Sequence, residues 1–437
     1  MQAKQDNKLD LLPTVDDISH GFDKNTSFEN RVFVLLQGPQ SSFYSKLTDK
    51  LVALGSRVIK VNFCGGDVFL WTSECKNSDR VKTVNYHGRS CDFTAFITDI
   101  FTKEKADDLV LYSDWRPMHQ DAILIAKFNK IRVWVFEEGY LRKGFVTLEH
   151  NGVNGRSSLP KTSYKVRELA SNYEPFKESS FHADSIREKV LFAIKHHVGN
   201  TLLFPLFCHY RTHREHNILF ELIGILPRYL TRKRRIAKSR ATLRDFFKVK
   251  NPYFFYPLQL NSDSQVQLYS PYVRQEEAIT TVISSFAKYA PSNTRLLIKN
   301  HPLDNGLIPY RRFINSIATS LGVASRVCFI EDANTNFLVH HSKAVVLINS
   351  TVGLSALLER KNVFCLGYSI YSMDGLAKCI LKDRLDDFWT TDDIVDEKLL
   401  NDYCKVLLKK ALIEGDFYTN SGVELAISGV IKRFMEC

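Results

Sequence analysis

Residues 343–367 read KAVVLINSTVGLSALLERKNVFCLG, and this stretch decides the fold. Ala344 to Ile348 is a short β-branched apolar run suited to a buried parallel strand. Leu354, Leu357 and Leu358 follow at helical spacing, so a strand, turn, helix, strand unit is expected. Its polar chemistry is confined to Asn349, Ser350 and Thr351 at the turn. A helix starting at the carboxyl end of a strand presents N–H groups without intrahelical partners and the positive end of a dipole. Ser350 and Thr351 therefore either cap the helix or bind an anion such as a phosphate.

The same alternation extends on both sides. Upstream, Tyr253 to Leu260 reads as a strand ending in the turn Asn261, Ser262, Asp263, Ser264. A helix is expected from Val273 to Tyr289, then a strand Arg295 to Ile298 that ends in Asn300, His301 and Pro302. His301 there either contacts a phosphate or is a turn residue held by its proline. Far upstream, VFVLLQ after Arg31 reads as a strand with Gln37 and Gly38 at its carboxyl end. In open α/β sheets ligands bind at such ends, although a QGP tripeptide also makes a plain tight turn. Asp107 to Tyr112 is a further strand leading into Asp114 and His119, and IRVWVF (131–136) runs into Glu137 and Glu138. Two adjacent carboxylates beside apolar surroundings repel each other, which raises one pKa toward the range useful for acid–base work; a strand-end Glu is otherwise a solvated loop residue. The segment 140–160, rich in Gly, Asn and Ser, reads as a long polar loop.

The chain of 437 residues is long enough for two α/β domains. Nine cysteines without a CxxC pair point to reduced thiols and a cytoplasmic setting. The N-terminal stretch has no apolar signal core, and no run of about 18 apolar residues occurs, so no membrane-spanning helix is expected. The net charge of +11 is concentrated: residues 189–248 hold 13 Lys or Arg against three acids. With the apolar run 218–226 and the cluster Arg232, Lys233, Arg234, Arg235, this stretch reads as a basic amphipathic helical insertion for an anionic membrane surface. Nucleic acid is the competing partner for such charge, and no nucleic-acid motif accompanies it. The divisions expected are a flexible tail (1–28), an N-terminal Rossmann-like domain (29–188), the basic insertion (189–250) and a C-terminal Rossmann-like domain (251–437) whose last helix packs back.

Taken together, LQGPQSSFYSKL, VNFCGGD, FEEGYLRKGFVTLEHNGVNGRSSLP, PLQLNSDSQVQLYSP, KNHPLD and INSTVGLSALL resemble the capsule polysaccharide β-Kdo transferases of the KpsS/LipB type. The resemblance covers about residues 30 to 380. It implies a GT-B-like fold, with two Rossmann-like domains facing a cleft, and transfer of Kdo from CMP-Kdo to a phosphatidylglycerol-type lipid at the inner-membrane face. Other capsule assembly proteins are the implied partners, with no cofactor and no metal. The resemblance also implies retention of configuration, most simply by two displacements with an enzyme carboxylate as intermediate nucleophile. Asp263 is then the nucleophile, against the alternative of an Asx-turn residue. Glu138 is the acid/base, with Glu137 as second choice. His301, Pro302, Asn349, Ser350, Thr351, Gln37 and Gly38 are expected around the CMP-sugar. Asp114, His119 and the Arg232 to Arg235 cluster are expected on the acceptor and membrane side. A CMP-sialic acid transferase and a non-catalytic capsule assembly or export factor are the competing readings.

Overall fold

The computed structural model describes residues 27–141, 144–176, 179–181, 185–211, 227–228, 230–261 and 263–436. Its strands are β1 (Val32–Leu35), β2 (Arg57–Asn62), β3 (Val81–Asn85), β4 (Asp108–Tyr112), β5 (Arg132–Glu138), β6 (Phe145–His150), β7 (Tyr253–Pro257), β8 (Arg295–Lys299), β9 (Val327–Ile330), β10 (Ala344–Leu347), β11 (Asn362–Cys365), β12 (Lys378–Cys379) and β13 (Leu412–Glu414). They form two sheets, one of seven strands in the order β13-β6-β5-β4-β1-β2-β3 and one of six in the order β12-β11-β10-β7-β8-β9.

The two bodies share one winding. In each, the first strand lies between the second and the fourth, all parallel, so the chain runs out to one edge and then returns to the other side of the first strand. The point of reversal, β1/β4 in one body and β7/β10 in the other, leaves a crevice beyond the carboxyl ends of the strands where ligands bind in such sheets. All four residues of the apolar strand β10 are buried, so it is covered on both faces, as a sheet flanked by helices requires. This is the GT-B-like, two-sheet α/β architecture anticipated above.

Three features differ from the expectation. The segment that reads as a long polar loop contains β6, buried and antiparallel to β5 and β13. Its polar side chains are satisfied internally: Glu149 accepts from Tyr140 Oη at 2.6 Å and from Ser157 Oγ. The last helix, Asn420–Met435, packs back on the first body as expected, but β13 also leaves the C-terminal domain and joins the first sheet. There Phe434 stacks on Phe33 at 5.4 Å, and its carbonyl accepts from Arg31 Nη1 at 2.9 Å. Nor do the described parts of the basic stretch form one insertion. Helix Ile186–Leu202 packs on helix Gly65–Leu70 of the first body, its Gly199 backbone against Gly65, whereas helix Arg232–Lys248 packs on the second, with Ser239 Oγ accepting from Glu331 N.

Candidate active site

The motifs of the second body converge at its point of reversal. Gln259, just past β7, donates from Nε2 to Asn349 Oδ1 at 3.2 Å and to Asp263 Oδ2 at 3.4 Å, while its Oε1 accepts from Asn349 N at 3.1 Å. Asn349 Nδ2 donates to the carbonyls of Tyr269 and Tyr368. The amide of Asn349, expected at the sugar, is thus buried and positions the turn. Sequence reasoning misses Gln259, because one glutamine after a strand carries no signal until its partner, 90 residues on, is known. Ser350 Oγ accepts from Val352 N at 3.2 Å within the turn, and the helix that follows has Thr351 at its N-cap position without a side-chain cap bond. Thr351 lines a crevice between the bodies, with Leu354 and Tyr368 on its own side and Tyr140 and Asn154 opposite. At the end of β8, His301 Nδ1 accepts from Leu303 N at 3.1 Å, which leaves Nε2 as the N–H donor of the neutral ring. Pro302 follows in the same turn.

In the first body the paired glutamates belong to β5 itself, opposite Thr147 and Val146 of β6. Successive residues of a strand point to opposite faces, so the two carboxylates do not share one environment. Glu138 accepts from Tyr418 Oη at 2.8 Å, with Lys189 Nζ at 3.9 Å. Glu137 lies on the side of Asp114. Burial pushes its pKa up to about 7, with repulsion from Glu138 and Asp114 adding and the Glu138 N–H opposing. Of the pair, Glu137, expected as the second choice, is the carboxyl whose pKa is pushed up toward neutrality, and the cause is chiefly burial. Asp114 is buried, accepts from Val153 N at 3.0 Å, and is itself raised by burial.

The two halves meet through helix Ser264–Tyr269. A methyl group added to Gly155 would lie 2.1 Å from the Tyr269 ring, so only glycine lets the 154–156 turn of the first body seat against that helix. The Tyr269 hydroxyl is buried without a hydrogen-bond partner among the described residues and feels the charges of Asp114, Arg156 and Glu137. Asp263 precedes this helix at its other end and bonds Gln259.

The remaining expected residues lie elsewhere. Gln37 is 5% exposed and bonds Asp67, Tyr210 and Arg116 inside the first body. Gly38 sits against the Tyr44 ring. Neither adjoins the motifs of the second body. His119 is buried near Phe63 in the same region as Gln37. Arg232, Lys233 and Arg234 are exposed, but Arg235 turns inward to Glu331 at 3.5 Å, beside Arg228, which also pairs with Asp304. The apolar run 218–226 lies outside the described residues. Among the described residues, Cys64, Asp67 and His196 bring ligand atoms within 4.8 Å of one another. They fit a metal poorly: burial holds the Cys64 thiol well above its ordinary pKa, the Lys60 ammonium is close to both Asp67 and Cys64, and the Gln37 amide already bonds both.

Two Rossmann-like bodies, each with polar residues at its strand ends and with a crevice between them lined by Tyr140, Asn154 and Thr351, define a two-domain α/β protein. The family described as capsule polysaccharide biosynthesis protein matches residues 107–418. The chain belongs to that family. It is 30% identical over 391 residues to the capsule polysaccharide export protein KpsS of Escherichia coli, covering 88% of this chain and 96% of that one. It is 31% identical over 397 residues to the capsule polysaccharide modification protein LipB of Neisseria meningitidis serogroup A, covering 88% and 91%. Among solved structures, KpsC of Thermosulfurimonas dismutans, a β-Kdo 2,7 transferase, is similar with a TM-score of 0.43 and 14% identity, covering 92% of this chain and 99% of that one.

Proposed function

We propose that the protein is a retaining glycosyltransferase that moves Kdo from CMP-Kdo onto a phosphatidylglycerol-type lipid, starting the sugar linker of a capsular polysaccharide. The observation that carries this reading is the crevice lined by Tyr140 and Asn154 of the first body and by Asn349, Thr351 and Tyr368 of the second, with Glu137, its pKa pushed up to about 7, three residues before Tyr140 and Asp263 bonded to the same Gln259 amide as Asn349. Double displacement needs two carboxyl groups with separate tasks. In the first step the Asp263 carboxylate attacks the anomeric carbon, the bond from that carbon to the phosphate oxygen breaks, and CMP leaves with the electron pair. His301 Nε2 and the Thr351 hydroxyl are the donors for the departing phosphate. In the second step Glu137 takes the proton of the acceptor hydroxyl as its oxygen displaces Asp263. Two inversions restore the original configuration.

The test is CMP release and lipid product from purified protein, CMP-Kdo and a fluorescent lysophosphatidylglycerol. Kdo-lipid formed by wild type and lost in Asp263→Ala is expected. Turnover of CMP-sialic acid alone would replace the donor. Lipid binding without turnover of either nucleotide sugar would replace the transferase with an assembly factor.

The reading places the enzyme on an anionic membrane surface. It is supported by helix Ile186–Leu202, which exposes Ile186, Val190, Ile194 and Val198 four residues apart, with Leu202 and Phe204 continuing the line and Arg187, Lys189 and Lys195 beside it. Apolar side chains flanked by cations suit the headgroup region of a bilayer, where each basic group adds about 1 kcal/mol. Ile194→Glu with Leu202→Glu is expected to abolish flotation with phosphatidylglycerol vesicles. Arg232, Lys233 and Arg234 changed together to Glu should weaken it only at low salt. Unchanged flotation of the apolar double variant would contradict this placement.

A further inference from the structure

Arg228 belongs to the basic stretch, yet its guanidinium is spent inside the second body. Nη1 is 3.3 Å from Asp304 Oδ2 and Nη2 donates to Glu331 Oε2 at 2.8 Å, with the side chain 17% exposed. The same two oxygens accept from a second fork, since Asn300 Nδ2 lies 3.0 Å from Asp304 Oδ2 and 3.1 Å from Glu331 Oε2. Guanidinium and carboxamide thus face each other across two carboxylates, one just past β9 and one in the turn after β8. Burial opposes ionisation of Glu331, but the Asn300 amide and the Arg228 and Arg235 guanidiniums hold its carboxyl below the ordinary value, so it is charged at neutral pH. Gly306, at φ +76°, closes the turn against Arg228: a methyl group added there would lie 2.5 Å from Arg228 Cδ. Arg235 Nη2 donates to the Arg228 carbonyl at 2.7 Å and fixes the backbone that presents the guanidinium.

His301 hangs on this network. Its backbone N–H donates to Asn300 Oδ1 at 2.8 Å, and its carbonyl accepts from Asp304 N at 3.1 Å. Its ring is aimed from within the same turn, by the Leu303 N–H on Nδ1. Arg228 and Arg235 are matched by Asp304 and Glu331, so the network offers an anion no net charge of its own. Its effect on a bound phosphate must therefore run through the histidine. We infer that Arg228 is a positioning residue for the nucleotide: by clamping Asp304 and Glu331 against Asn300 it sets the His301 turn and presents Nε2 to the phosphate in one orientation. A planar guanidinium can span two carboxylates in this way, whereas an ammonium is a single point charge. The inference rests on the reading of His301 as a phosphate donor, to which it adds the group that holds the donor in place.

The test is calorimetric titration of the full chain with CMP. Arg228→Lys keeps the positive charge and Asp304→Asn keeps an acceptor for the Gly306 N–H, while each breaks the clamp. Both should bind CMP about tenfold more weakly than wild type, as His301→Gln should. Combining either with His301→Gln should cost no further affinity, because a residue that acts through His301 then has nothing to act on. A merely structural contribution would instead add to the loss caused by His301→Gln. Additive losses in the double variants, wild-type affinity in both single variants, or a wild type that does not bind CMP would each overturn the inference. If wild type turns over CMP-Kdo and the losses add, the role of Arg228 fails alone. If CMP binds with the non-additive pattern and CMP-Kdo is not consumed, the transferase reading fails alone.

Discussion

Glu137→Gln is expected to lower Kdo transfer by about 10² to 10⁴ and to make the protein more stable at pH 8. The carboxamide cannot accept the acceptor's proton, whereas Glu138→Gln keeps a hydrogen-bonding group beside Tyr418 and should cost no more than about tenfold. The wild-type rate should rise with pH through about 7, where Glu137 ionises, and the variant should lose that limb. The stability change has the opposite sign for a physical reason. The folded pKa is raised from 4.5 to about 7, so between those values the unfolded chain binds fewer protons than the folded one. Stability therefore falls as pH rises through that window and stays lower above it. Glutamine removes this cost, a gain of about 1–3 kcal/mol at pH 8 that vanishes below pH 4. Glu149, also raised to about 7 by burial, is present in both proteins and drops out of the comparison. Urea unfolding at several pH values reads the difference.

Arg31→Met is expected to lose about 3–5 kcal/mol. Its guanidinium lies in the centre of the first body, with Nε 2.6 Å and Nη2 2.7 Å from the Asp108 carboxylate, both side chains fully buried. Asp108 also receives Arg132 and Trp134 Nε1, and the third Arg31 donor fastens the Phe434 carbonyl of the returning helix. Removing Arg31 withdraws one partner from a buried charge and frees the C-terminal helix from β1. Urea unfolding at neutral pH measures this, and Arg31→Met with Asp108→Leu should recover part of the loss, since replacing both members avoids an unpaired buried ion.

Where a structural element announces itself by its own residues, the sequence is readable. The run Ala344 to Ile348 and the turn after it are such a case, as are β1 and β4. Edge strand β3 is not legible, because Val81–Asn85 carries exposed polar side chains and lacks an apolar run. Strand β6 reads as a loop because the partners that satisfy Thr147 and Glu149 are distant or follow a turn. The three residues of β13 join a sheet whose other strands lie more than 260 residues upstream, and nothing local marks such pairing. In the site, strand ends with polar residues are legible as candidates, and Asp263, His301 and Thr351 lie at the strand ends or turns anticipated. Which of Glu137 and Glu138 has its pKa raised depends on what packs on each face of β5, which alternation leaves undecided until the neighbouring layer is known. Arg235 cannot be separated by sequence from its three basic neighbours, since its partner Glu331 is set by the packing of a helix on another strand.

On the proposed mechanism, Asp263 and Glu137 divide one displacement reaction between them. Glu137→Gln incubated with CMP-Kdo in the absence of lipid acceptor, then taken to intact mass and peptide mapping, separates the two steps. The variant keeps the first step and lacks the base for the second, so one Kdo residue should accumulate, bound to Asp263, with a matching amount of CMP released. CMP released with no sugar on the protein, or sugar found on a residue other than Asp263, would rule this division out.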